Sequence, residues 1–111
     1  MKFIRLNYWK SIFYKVPLSR EVKQKIAAVF KELDRPRASE LIRTKCGTSL
    51  PMMSSVEIAD FDRIRFAVIK LSHGNPAELE RVIEQANIDW RDVLMAAGFA
   101  NDEKAHLAWK P

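Results

Sequence analysis

Few side chains in this sequence are equipped for covalent or metal chemistry. There is one cysteine, Cys46, and there are two histidines, His73 and His106. A thiol becomes a nucleophile when a neighbouring base or a helix N-terminus favours its thiolate. Cys46 falls instead at the C-terminal end of a predicted helix, where the backbone dipole opposes negative charge. It reads as a structural, partly buried thiol. His73 precedes Gly74 at another predicted helix end, where an imidazolium interacts well with the last carbonyls. His106 lies three residues before Trp109 and is expected to be half exposed. Asp60 and Asp62 are two apart on a predicted helix, so their carboxylates point apart and cannot share a metal or a proton. Asp89 and Asp92 read as residues of a helix start. One cysteine and two histidines are a poor supply for zinc. The sequence holds no Gly-rich phosphate loop, G-x-S-x-G, H-E-x-x-H or C-x-x-C. No catalytic, cofactor-binding or metal-ligating residue is expected, and the chain reads as a non-enzyme without a cofactor.

Charge is more informative. The net charge is +5 over 111 residues, but it is unevenly spread. Residues 1–45 carry twelve Lys and Arg against four Asp and Glu, a balance of +8; residues 46–111 carry seven against ten, a balance of −3. Such asymmetry serves an anionic partner or draws the two halves together. The candidate anion-facing residues are Lys10, Lys15, Lys23, Lys25, Arg35, Arg37 and Lys45. Tyr8, Trp9 and Tyr14 interleave with Lys10 and Lys15, which would offer stacking to single-stranded nucleic acid. A helix-turn-helix over 79–97 is rejected, because Asp92, Val93, Leu94 and Ala96 stand where a reading helix needs Arg, Asn, Gln or Ser. A second candidate surface is the loop bearing Leu50, Met52 and Met53, since exposed methionine adapts to protein partners. A membrane-surface role for residues 2–16 ranks last, their basic count being small.

The elements that must position these groups read as helices. Hydrophobic residues are 48% and charged residues 30% of the chain, an ordinary globular balance, with only Gly 3 and Pro 5. No apolar run approaches a bilayer's thickness, and Met1–Arg5 begins no secretory signal, so a soluble cytoplasmic protein is expected. Residues 5–16 place Leu6, Trp9, Ile12, Phe13 and Val16 at helical spacing. Ile4, Leu6 and Tyr8 also alternate, so a short strand or hairpin over 3–16 stays open. Ser19 caps a helix with Val22, Ile26, Val29, Phe30 and Leu33 on one face. Asp34-Arg35-Pro36 ends it and opens the next, which carries Leu41, Ile42 and Cys46 and stops at Gly47 in the C′ position. After the loop, Ser54 and Glu57 form a capping box for a helix to about Ser72. That helix is apolar on two sides and reads as central. Asn75-Pro76-Ala77-Glu78 starts a helix with Leu79, Val82, Ile83 and Ala86 inward. Asp89 caps a further short helix ending at Gly98, and Asn101 or Asp102 begins a last turn with Leu107 and Trp109.

The stretch Asp89-Trp90-Arg91-Asp92-Val93-Leu94-Met95-Ala96-Ala97-Gly98-Phe99 resembles a C-terminal run of small bacterial helical proteins of unknown function. The likeness spans about residues 63–110. It implies a bacterial, cytoplasmic, helical protein and brings no activity with it. The combined expectation is a single all-α domain over 1–111, a bundle of about six short helices. Its role reads as non-catalytic protein binding or regulation, with nucleic-acid binding through the basic half as the alternative.

Overall fold

A computed structural model describes residues 16–47, 50–51 and 58–111, the side chains of 58–60 excepted. The readings made for residues 3–15 and for the Ser54–Glu57 capping box, and the placements of Lys10, Lys15, Met52 and Met53, lie outside the described residues. The fold is all-α, with five α-helices and no strand among the described residues.

Helix α1 spans Arg20–Val29. Ser19 is its cap: extended at φ −69°, ψ 163°, it accepts the Val22 N–H on Oγ at 3.1 Å. Val22 and Ile26, one turn apart, are buried. The helix is shorter than its apolar stripe predicts. Phe30 is already extended (φ −100°, ψ 145°), and a 3-10 turn follows at Glu32–Asp34. The break rotates Leu33 away from the stripe, so the expected core residue is 92% exposed. Helix α2, Arg35–Lys45, has Pro36 in its first turn as expected and buries Ala38, Leu41 and Ile42. Gly47 follows its Cys46 cap but is not left-handed, contrary to the C′ role expected of it. Its small size is what matters, because a Cβ there would stand 3.2 Å from Nη2 of Arg65.

Helix α3, Ile58–Ser72, is the centre of the bundle. Phe61, Ile64, Phe66, Ala67, Val68 and Ile69 are all buried, so it is enclosed on every side as its two apolar faces predict. It packs against α1 and most extensively against α4, which spans Pro76–Ala97. The α3–α4 turn uses left-handed His73 (φ 51°) and Gly74 (φ 78°). A Cβ on Gly74 would lie 2.7 Å from the Val29 carbonyl oxygen, so glycine lets this turn rest on the end of α1.

Asn75 caps α4, accepting the Ala77 and Glu78 N–H groups on Oδ1 at 2.9 and 3.2 Å. The two helices predicted here are two arms of one bent helix. Asp89 is extended at the bend (φ −156°, ψ 100°), and its Oδ1 accepts the Arg91 N–H at 3.0 Å. Leu79, Val82, Ile83 and Ala86 are buried from the first arm, and Val93, Leu94 and Ala97 from the second. Left-handed Gly98 (φ 80°) ends the helix. A four-residue helix α5, Ala105–Ala108, returns against α3. Its His106, expected half exposed, is buried at 6% because its ring stands edge-on to Phe66 at 5.1 Å. Leu107 instead faces out.

Candidate functional site

The basic residues are the natural place to begin, since they were expected to face an anionic partner. Helix C-termini end in unsatisfied carbonyls and carry partial negative charge, which attracts cations. Four of the five described helices here receive one from elsewhere in the fold or from the following turn. Arg35 turns back on α1, donating from Nε to Phe30 O (3.1 Å) and from Nη2 to Ala27 O (2.9 Å). Arg65 donates to Cys46 O at the end of α2. Lys70 donates to Ala97 O at the end of α4, 4.9 Å from the centre of the Phe99 ring. Lys25 donates to Trp109 O just past α5 and lies over the Phe66 and Trp109 rings. Arg63 adds bonds to the carbonyls of Phe99 and Ala100.

This changes the meaning of the expected anion-facing surface. Lys25 and Arg35 are committed to carbonyls within the fold. Arg37 faces Glu80 at 3.6 Å, an exposed pair of small energetic weight. Lys45 is exposed at the end of α2, and Lys23 is exposed and makes no ion pair among the described residues. Of the five described members of this set, two are therefore engaged by carbonyls within the fold and one is paired at the surface. A depression of about 310 Å³ lies beside Lys25, floored by Phe66 and edged by Leu107 and Pro111.

The most unusual cation is Arg65, which is fully buried. Its guanidinium fork donates to three carbonyls from two segments: Cys46 O at 2.8 Å, Pro17 O at 2.9 Å and Val16 O at 2.8 Å. Burial pulls it below its ordinary value, while Cys46 and Asp62 act the other way. Arg65 thus ties the chain preceding α1 to the end of α2 and fastens both to α3. The expected partly buried Cys46 is wholly buried, and burial pushes its thiol up from 9.0 to about 12. A thiol-specific reagent at neutral pH should leave Cys46 unmodified in the folded protein and react fully after denaturation. Because the unfolded chain releases this proton from about pH 9 while the folded one keeps it to about 12, the thiol's contribution to stability falls across that window.

The bend in α4 brings together a different set. Asn87 Nδ2 donates to Lys45 O at 2.8 Å, and Trp90 Nε1 donates to Pro51 O at 2.8 Å. Ile88 between them is 81% exposed. Trp90 and Pro51 are half-buried. Of the loop expected to contact a protein, Pro51 is held at this bend, while Leu50 departs from the expectation. Leu50 is buried at 3% and serves the core, because the loop folds inward at that residue. Met52 and Met53, directly after Pro51, lie outside the described residues. Sequence reasoning passed over Ile88 because it falls off the inward stripe of α4. The signal was its apolar type next to a capping Asp89, where an inward role was already filled by Ala86.

No protein-family model, curated protein or solved structure matches this chain. Among the described residues no helix is long and apolar enough to cross a membrane.

Proposed function

We propose that this chain is a non-catalytic protein-binding module, bacterial and cytoplasmic, whose contact surface is the bend of α4. The carrying observation is Ile88, 81% exposed at the bend of α4, where the indole of half-buried Trp90, two residues on, donates to Pro51 O at 2.8 Å. An exposed apolar side chain on a fixed bend can serve as an anchor of the kind that dominates protein contacts. Residues 84–92 carry Glu84, Asp89 and Asp92 against Arg91, a net charge of −2. Arg91 is already paired with Asp89 at 3.0 Å. The complementary partner presents an apolar side chain on a basic amphipathic segment.

A panel of short basic amphipathic peptides tests this by titration against the full chain. Ile88→Asp should weaken binding at least tenfold, about 1.4 kcal/mol, with the helical content unchanged. Equal binding by the variant would remove the surface from consideration. The alternative, nucleic-acid binding, draws on the outward face of α1, where Arg20 and Lys23 are exposed. It requires affinity that falls steeply with salt, insensitive to Ile88→Asp and reduced by charge reversal at Lys23.

A further inference from the structure

Glu21, Gln24, Lys25 and Ala28 recur at the spacing of one face of α1. They form one wall of the depression of about 310 Å³, and Phe66, Leu107 and Pro111 complete it. That volume is at the lower end of small-molecule pockets, about 300–1,000 Å³. Its lining is of two kinds. The α1 wall carries a carboxylate, an amide and an ammonium, while the remainder is apolar and includes Leu107, 58% exposed.

Glu21 and Lys25 stand four apart with the acid first, the favoured order for an ion pair along a helix. They do not form it. The half-buried Lys25 donates instead to Trp109 O at 2.7 Å, with its ammonium 5.5 and 5.3 Å from the centres of the Phe66 and Trp109 rings. Among the described residues Glu21 has no ion-pair partner. Trp109 O takes one of the three donors of the Lys25 ammonium. One small cavity therefore carries an acid and a base that are not joined to each other, beside an apolar lining.

We infer that this depression binds a free amino acid with an apolar side chain. Glu21 accepts from its ammonium, Lys25 donates to its carboxylate, and its side chain lies against Phe66, Leu107 and Pro111. A ligand with only a carboxylate is repelled by Glu21, and one with only an amine is repelled by Lys25. A ligand carrying both charges is attracted by both. Its binding covers Leu107 and bridges α1 to the C-terminal segment that Lys25 already fastens. The inference is independent of the role proposed for the bend of α4.

Titration of the isotope-enriched full chain with L-leucine and with L-phenylalanine tests it. Saturable shifts should centre on the backbone amides of Gln24, Lys25 and Leu107. N-acetylation of the ligand removes its ammonium, and amidation removes its carboxylate charge. Each should weaken binding about fivefold, the upper weight of an ion pair at a wet surface. Glu21 is exposed, so Glu21→Gln should fold normally, and it should abolish the penalty for N-acetylation. Because Lys25 also anchors the C-terminal segment, its part is read from the amidated ligand and not from a variant. The absence of saturable shifts up to the solubility of both amino acids overturns the inference, as do shifts that centre elsewhere. Equal binding of the free and N-acetylated ligands, or a penalty for N-acetylation that survives Glu21→Gln, overturns it as well.

Discussion

Arg65→Met is expected to destabilise the fold by on the order of 3–5 kcal/mol. The replacement fills much of the volume but leaves three carbonyls without their donor, each costing about 1–3 kcal/mol when buried, partly offset by removing a buried charge. Against a total stability of about 5–15 kcal/mol the loss is severe. It should appear as a lower urea midpoint at unchanged denaturant slope. Arg65→Lys should recover little, because a single ammonium cannot serve carbonyls on Val16, Pro17 and Cys46 together. A midpoint equal to that of the unaltered protein would show that water replaces the fork without loss.

Phe66→Ala should cost about 3–5 kcal/mol, the range for removing a buried phenyl ring. Phe66 is 2% exposed and stands edge-on to His106 at 5.1 Å and Trp109 at 6.4 Å, with the Lys25 ammonium 5.5 Å from its centre. Its loss removes the platform on which the C-terminal segment rests. Trp109 emission should therefore shift to longer wavelength before global unfolding begins. If the emission is unchanged while stability drops, the C-terminal segment is held by its carbonyl bonds alone.

Much of this architecture was legible because local signals agreed with tertiary needs. Ser19, Asn75 and Gly98 mark helix ends by chemistry that needs no distant partner, and each does so in the structure. The two-sided apolar pattern of α3 required enclosure, and α3 is enclosed. Leu33 shows where periodicity misleads. A stripe presumes an unbroken helix, and the turn after Phe30 depends on Arg35 reaching back to Ala27 and Phe30, a contact that spacing does not encode. Arg65 was passed over, although a cation on a helix enclosed on all sides has nowhere exposed to go. Its acceptors were not, because backbone carbonyls are the same at every position. For the same reason, a count of +8 could not distinguish free cations from those bound to helix ends. The candidate site at Ile88 was hidden by the habit of reading stripes for what they bury.

The cations inside this fold answer to carbonyls, and carbonyls do not titrate. Acid unfolding ordinarily proceeds by protonating carboxylates that the native state has paired. Among the described residues the paired carboxylates whose pKa is drawn down are Glu78 and Asp89, beside Arg81 and Arg91. Both lie at the surface, and what they contribute is present above their ordinary values and lost as pH falls through the lowered ones. The anchorage of Arg65, Arg63, Lys70 and Lys25 is untouched by that change. The interior cations of this bundle thereby keep their partners through an acid excursion that would break internal ion pairs.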